Sequence, residues 1–82
     1  MTDRVRLRWE IFQGSAEQAF LGDVEIGMIG QLDDDPSTWW FKVDGIAVKW
    51  IAKGFGHVKG KAAARRGVER AFRAWAERAK LL

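Results

Sequence analysis

The 82-residue chain carries a net charge of +3, five tryptophans and five phenylalanines, and neither cysteine nor tyrosine. That length allows a single domain over residues 1–82, one that buries only about 60% of its unfolded surface, so the aromatics must supply much of the core. Disulfides and thiolate metal sites are excluded, no apolar run approaches the roughly 18 residues of a membrane span, and the first residues form no apolar signal region; the expectation is a cytoplasmic, soluble protein.

The modest net charge hides an asymmetry. Residues 1–41 hold 3 basic and 8 acidic side chains, and residues 42–82 hold 11 basic and 3 acidic. A basic surface for an anionic partner is one consequence; mutual cancellation of the two halves on folding is the other.

In chain order, "RVRLRWEIF" alternates residue by residue and predicts a first strand over 4–12. Val5, Leu7, Trp9 and Ile11 then share one face, and Arg4, Arg6 and Arg8 the other. "QGSAEQ" reads as a hairpin connection. The next apolar run predicts a strand over 19–29, with Phe20, Val24, Ile26 and Met28 turned to the core. In that register Arg6 faces Glu25 and Arg8 faces Asp23, so the acids of the second strand neutralise two of the arginines.

"GQLDDDPST" is a connection. The successive aspartates 33 to 35 lack the ligand spacing and glycine of a calcium loop, so a solvated acidic turn is expected rather than a metal site. "WWFKVDGIAVKWIAK" carries a hairpin signal, because Asp44-Gly45 suits the positive φ angles of a tight turn. It predicts strands over 38–43 and 46–53, with Trp39, Phe41 and Val43 facing the core opposite Trp50, Val48 and Ile46. "GFGHVKG" reads as a flexible connection. From Lys61 the period becomes helical, and a helix is expected over 61–81, with Ala64, Val68, Ala71, Phe72, Trp75, Ala79 and Leu82 on one stripe. Gly67 alone opposes the helix propensity. The predicted fold is α+β: a four-stranded antiparallel meander packed on one C-terminal amphipathic helix.

Catalytic chemistry finds little footing. His57 is the single histidine, there is no thiol, and Ser15 and Ser37 sit in predicted turns, so no triad or histidine-based metal centre can be assembled. No enzyme activity and no cofactor are expected. "GFGHVKGK" departs from a phosphate-binding loop at Phe55 and Ala62. It leaves a glycine-rich entry to a helix, flanked by Lys59 and Lys61, that is either a weak phosphate site or a simple connection. The outer sheet face is the better candidate. Trp40, with Phe12 as a second platform, lies among Lys42, Lys49 and Lys53, the aromatic-plus-cationic combination that binds single-stranded nucleic acid; the competing reading is that Trp40 only covers lysine stems. Arg66 adds to a basic helix face.

"WWFKVDGIAVKW" followed by "KAAARRGVERAFRAWAERA" resembles the sheet-reading DNA-binding domains of phage integrases and of plant transcription factors, a resemblance that covers about half of the chain, with four expected strands against their three. In size and composition the chain also resembles small phage and prophage proteins, including anti-CRISPR inhibitors. These resemblances imply two alternatives. One is a nucleic-acid-binding module that uses Trp40, Lys42, Lys49, Lys53, Lys59, Lys61 and Arg66. The other is a protein-interaction factor acting on a host nucleic-acid-handling complex.

Overall fold

The computed structural model describes residues 6–43 and 54–78. Its elements in chain order are β1 (Arg8–Gln13), β2 (Ala16–Leu21), β3 (Val24–Gln31), β4 (Thr38–Val43), β5 (Phe55–Lys59) and α1 (Lys61–Arg78). The strands form one antiparallel sheet in the order β1-β2-β3-β4-β5, each pairing with the next. The α+β class, the meander, β4 and the start of α1 match the sequence expectation. The strand count does not, since the described residues hold five where four were expected.

Two local features explain the difference. Gly22 adopts φ 61° and, with Asp23, turns the chain inside the apolar run that reads as one strand over 19–29. That run therefore folds into the end of β2 and most of β3. Gly14, at φ 57°, makes the matching turn between β1 and β2. Only glycine adopts such angles without steric cost, and here each one reverses the chain.

The second feature is β5. The segment read as a flexible connection alternates Phe55, His57 and Lys59 against Gly56 and Val58, and it pairs with β4. Trp39 lies across from Val58 and Phe41 across from Gly56. The expected partners Trp50 and Val48 fall outside the described residues, as do the Asp44-Gly45 turn and the strand over 46–53. Because β3 flanks β4 on its other side, β5 takes the place next to β4 that the sequence assigned to 46–53.

The turn at Gly22 also changes which residues point inward. A bulge between Ala19 and Phe20 shifts the β2–β3 register, so that Ala19 pairs with Gly27 while Phe20 pairs with Glu25. Ala19 and Ile29 are fully buried, whereas Val24 is 64% exposed and Met28 only partly buried. Ile26, at the bulge, still reaches the core. The inward set expected from parity was therefore wrong in β2 and β3.

The arginine pairing fails for the same reason. Arg8 lies opposite Phe20, not Asp23, because Asp23 belongs to the turn and β2 is the described strand that borders β1. Its guanidinium donates to Glu10 at 2.7 Å and to the Gly22 carbonyl at 2.9 Å, and stands 5.0 Å from the Phe20 ring centroid. Glu25 instead accepts from Gln18 at 3.1 Å.

Helix α1 packs across β3, β4 and β5. Ala64, Val68 and Ala71 meet Ala19, Ile29, Trp39, Phe41 and Val43, and Leu7, Trp9, Ile26, Val58 and Trp75 close the margins; Phe72 is buried with its ring centroid 6.3 Å from that of Trp75. Gly67 marks the closest approach: a Cβ there would fall 2.8 Å from Cε1 and Cζ of Phe41. Across the seam, a Cβ on Gly27 would fall 3.3 Å from Cγ1 of Val68 and 2.4 Å from the Lys42 carbonyl oxygen.

These distances predict a sign reversal for Gly67→Ala. In an isolated helical peptide the change should favour the helix by about 1 kcal/mol. In the folded protein the new methyl must displace the Phe41 ring, and overpacking of this kind costs about 1–3 kcal/mol. Circular dichroism of the peptide and urea denaturation of the protein should thus move in opposite directions.

Candidate functional site

One face of the sheet is covered by α1, and the other is left open by every described element. Alternation along β4 places Thr38, Trp40 and Lys42 on the open face, and along β5 it places Phe55, His57 and Lys59 there, each across from its partner. The same rule adds Glu10 and Gln18 from β1 and β2, and Met28 and Gly30 from β3.

Trp40 lies midway along β4 on this face, paired with Gly30 on one side and His57 on the other. Its indole lies over Gly30, where a Cβ would come within 2.4 Å of Cζ2 and 2.8 Å of Nε1. Glycine in a strand is thereby covered by a cross-strand aromatic, which holds the indole down against the sheet. An open depression flanks it on either side. One, of about 420 Å³, reaches from Trp40 and Gly30 to Gln13, Ser15 and Asp33. The other, of about 340 Å³, lies between Trp40, Phe55 and His57. Phe55 is 62% exposed, and Phe12, at the irregular end of β1, is 55% exposed.

The residues singled out from sequence divide. Trp40 and the exposed Lys42 share the open face as expected. Lys49 and Lys53 fall outside the described residues. Lys59 is on the same face, but its ammonium is held at 2.8 Å by the Thr38 hydroxyl and at 3.4 Å by Asp35. Lys61 and Arg66 belong to α1, on the other side of the sheet, and do not join Trp40. Sequence reasoning missed Phe55 and His57. Their signal was the alternation in "FGHVK", hidden by the glycines around it.

Lys61 already has a carboxylate partner. Its Nζ lies 2.9 Å from Glu17 Oε2, and Arg65 donates to Glu17 Oε1 from Nε at 3.0 Å. Arg65 also stands 5.1 Å from the Trp9 ring centroid. The first turn of α1 has no acidic residue of its own, so Glu17 from β2 supplies the negative charge that a helix N-terminus favours. Burial pushes the Glu17 carboxyl up, but hydrogen bonds from Lys61 and Arg65, and their charges, outweigh burial and hold it below its ordinary value. The helix entry is thus neutralised from within, and the glycine-rich segment contributes β5 and a turn at Gly60, φ 89°, rather than a phosphate cradle.

The acidic turn is likewise structural. Asp35 accepts hydrogen bonds from the Thr38 hydroxyl at 2.6 Å, the Ser37 hydroxyl at 2.7 Å and the Ser37 amide at 3.2 Å. With Lys59 added, these hold its carboxyl well below the ordinary carboxylate range. Among the described residues no cluster of His, Asp or Glu is arranged to hold a metal ion. No described helix is long and apolar enough to cross a membrane.

No known protein family matches the chain, and no curated protein or solved structure is similar to it.

The Glu17 cluster has a definite pH signature. A carboxyl whose folded value is lowered contributes stability above its unfolded value, here 4.5, and loses that contribution as pH falls through the folded value. Glu17→Gln should cost about 1–2 kcal/mol at neutral pH, the lower part of the range for charged hydrogen bonds because both cations are partly exposed. In urea melts at a series of pH values, the gap between wild type and variant should close below pH 4.5.

Proposed function

We propose that the open face of the sheet binds single-stranded nucleic acid without catalysing a reaction on it. The observation that supports this most is the Trp40 indole, held over Gly30 on the open face of the sheet with a depression on each side. A flat aromatic in that position accepts a stacked base at little cost in side-chain entropy, since its rotamer is already fixed. Phe55 offers a second ring on the neighbouring strand, and Lys42 sets a cation two residues along β4 from Trp40, directly across the ladder from Phe55. Lys49 and Lys53 follow in the sequence and add positive charge to the segment that joins these two strands. A duplex hides its base faces, so single strands are the favoured ligand.

A second reading rests on a different observation. Glu10 and Glu25 occupy the β1–β3 end of the same face, where they would repel a phosphate backbone. A protein surface, such as a component of a nucleic-acid-handling complex, meets a face of mixed charge and exposed phenylalanine more readily.

Titration of labelled single- and double-stranded oligonucleotides separates the two. Single strands should bind more tightly, with affinity falling steeply as salt rises because neutralised phosphates release counterions. Trp40→Ala should weaken single-strand binding by about 1–3 kcal/mol. Absence of binding to any oligonucleotide at low salt would remove the nucleic-acid reading and leave the protein partner.

A further inference from the structure

Strand β1 ends the sheet, and no described strand pairs with its outer edge. Edge strands in monomeric proteins are normally short, charged or covered, because unpaired backbone groups invite another strand. This one combines an edge that no described strand covers with Ile11 at 77% exposure and Phe12 at 55%. Ile11 lies on the helix side of the sheet, across from Glu17, yet α1 does not cover it.

We infer that β1 pairs antiparallel with β1 of a second copy of this chain, in the register that sets Trp9 across from the partner's Trp9. Symmetry narrows the choice of register. A two-fold axis normal to a continuous sheet requires one residue of the strand to face its own copy. Centring on Arg8 or Glu10 places like charges directly opposite, which is unfavourable. Centring on Ile11 runs into the irregularity between Ile11 and Gln13. Centring on Trp9 sets Arg8 across from the partner's Glu10 and Leu7 across from the partner's Ile11. Both ion pairs then lie on the open face, and both apolar pairs on the helix face beside the two tryptophans. In the single chain Arg8 already bonds Glu10 at 2.7 Å within its own strand, so dimerisation exchanges two intrachain pairs, one per chain, for two interchain ones, and the ion pairs select the register.

The inference does not depend on what the open face binds. It does set both open faces on the same side of one ten-stranded sheet, because the two-fold is normal to it.

Sedimentation equilibrium of the full chain tests the assignment. The expected mass is twice the 9.3 kDa of one chain. Arg8→Glu and Glu10→Arg, made separately, each set like charges opposite across the edge and should raise the dissociation constant by at least about tenfold. Circular dichroism should show both variants folded. An equimolar mixture of the two should restore the dimer, because each then presents the charges that complement the other. A wild-type chain that stays monomeric at high micromolar concentration overturns the proposal. So does a dimer that neither variant weakens, or a mixture that fails to reassociate.

Discussion

The architecture turns on how closely one helix can approach one sheet. Gly67 on α1 and Gly27 on β3 remove the two methyl groups that would hold the layers apart. Phe41 uses the space on the helix side, and Val68 presses into the space on the sheet side. Small domains have few residues with which to fill a core, so interlayer distance decides how many atoms touch. The same approach fixes which face of β4 is inward. Trp39, Phe41 and Val43 are held against the helix, and Trp40 and Lys42 must therefore face away from it. The position of the open site is a consequence of the packing seam.

The charge asymmetry along the chain is resolved in part by that packing. The acidic first half and the basic second half meet where Glu17 receives Lys61 and Arg65, and again where Asp35 receives Lys59. These contacts explain why three of the cations nearest the sheet serve the fold. Arg66, Arg70 and Arg78 stay exposed along α1. They belong to a different surface from Trp40, so a basic composition does not by itself make one continuous basic site.

Where the sequence was legible, one residue type carried an unambiguous period. The stripe of α1 was of this kind, with Ala64, Val68, Ala71 and Phe72 at helical spacing, and so was the alternation of Trp39, Trp40 and Phe41 in β4. Legibility failed where glycine did two jobs. Gly22 reverses the chain, whereas Gly27, Gly30 and Gly56 sit inside strands where a backbone or a ring comes close or another strand pairs. In the sequence these four look alike. Reading Gly22 as a strand residue inverted the faces of β2 and β3, because a change of one position exchanges inside for outside. Reading Gly54 to Gly60 as a loop concealed β5, and with it Phe55 and His57 beside Trp40. The candidate site was thus half legible: the residue at its centre could be named from sequence, but not the neighbours across the ladder.

The chain order of the meander also bears on how this protein is made. Every described strand pairs with the described strand before it, so the sheet can form progressively from the N-terminus. The helix comes last. During synthesis the inner face bearing Ala19, Ile29, Phe41 and Val43 is complete before residues 61–78 have emerged to cover it. For that interval the nascent chain presents an uncovered apolar sheet, the kind of surface to which chaperones bind and through which incomplete chains aggregate. A ribosome stalled within α1 would leave the domain in that state, with the open face of the sheet already formed on the opposite side.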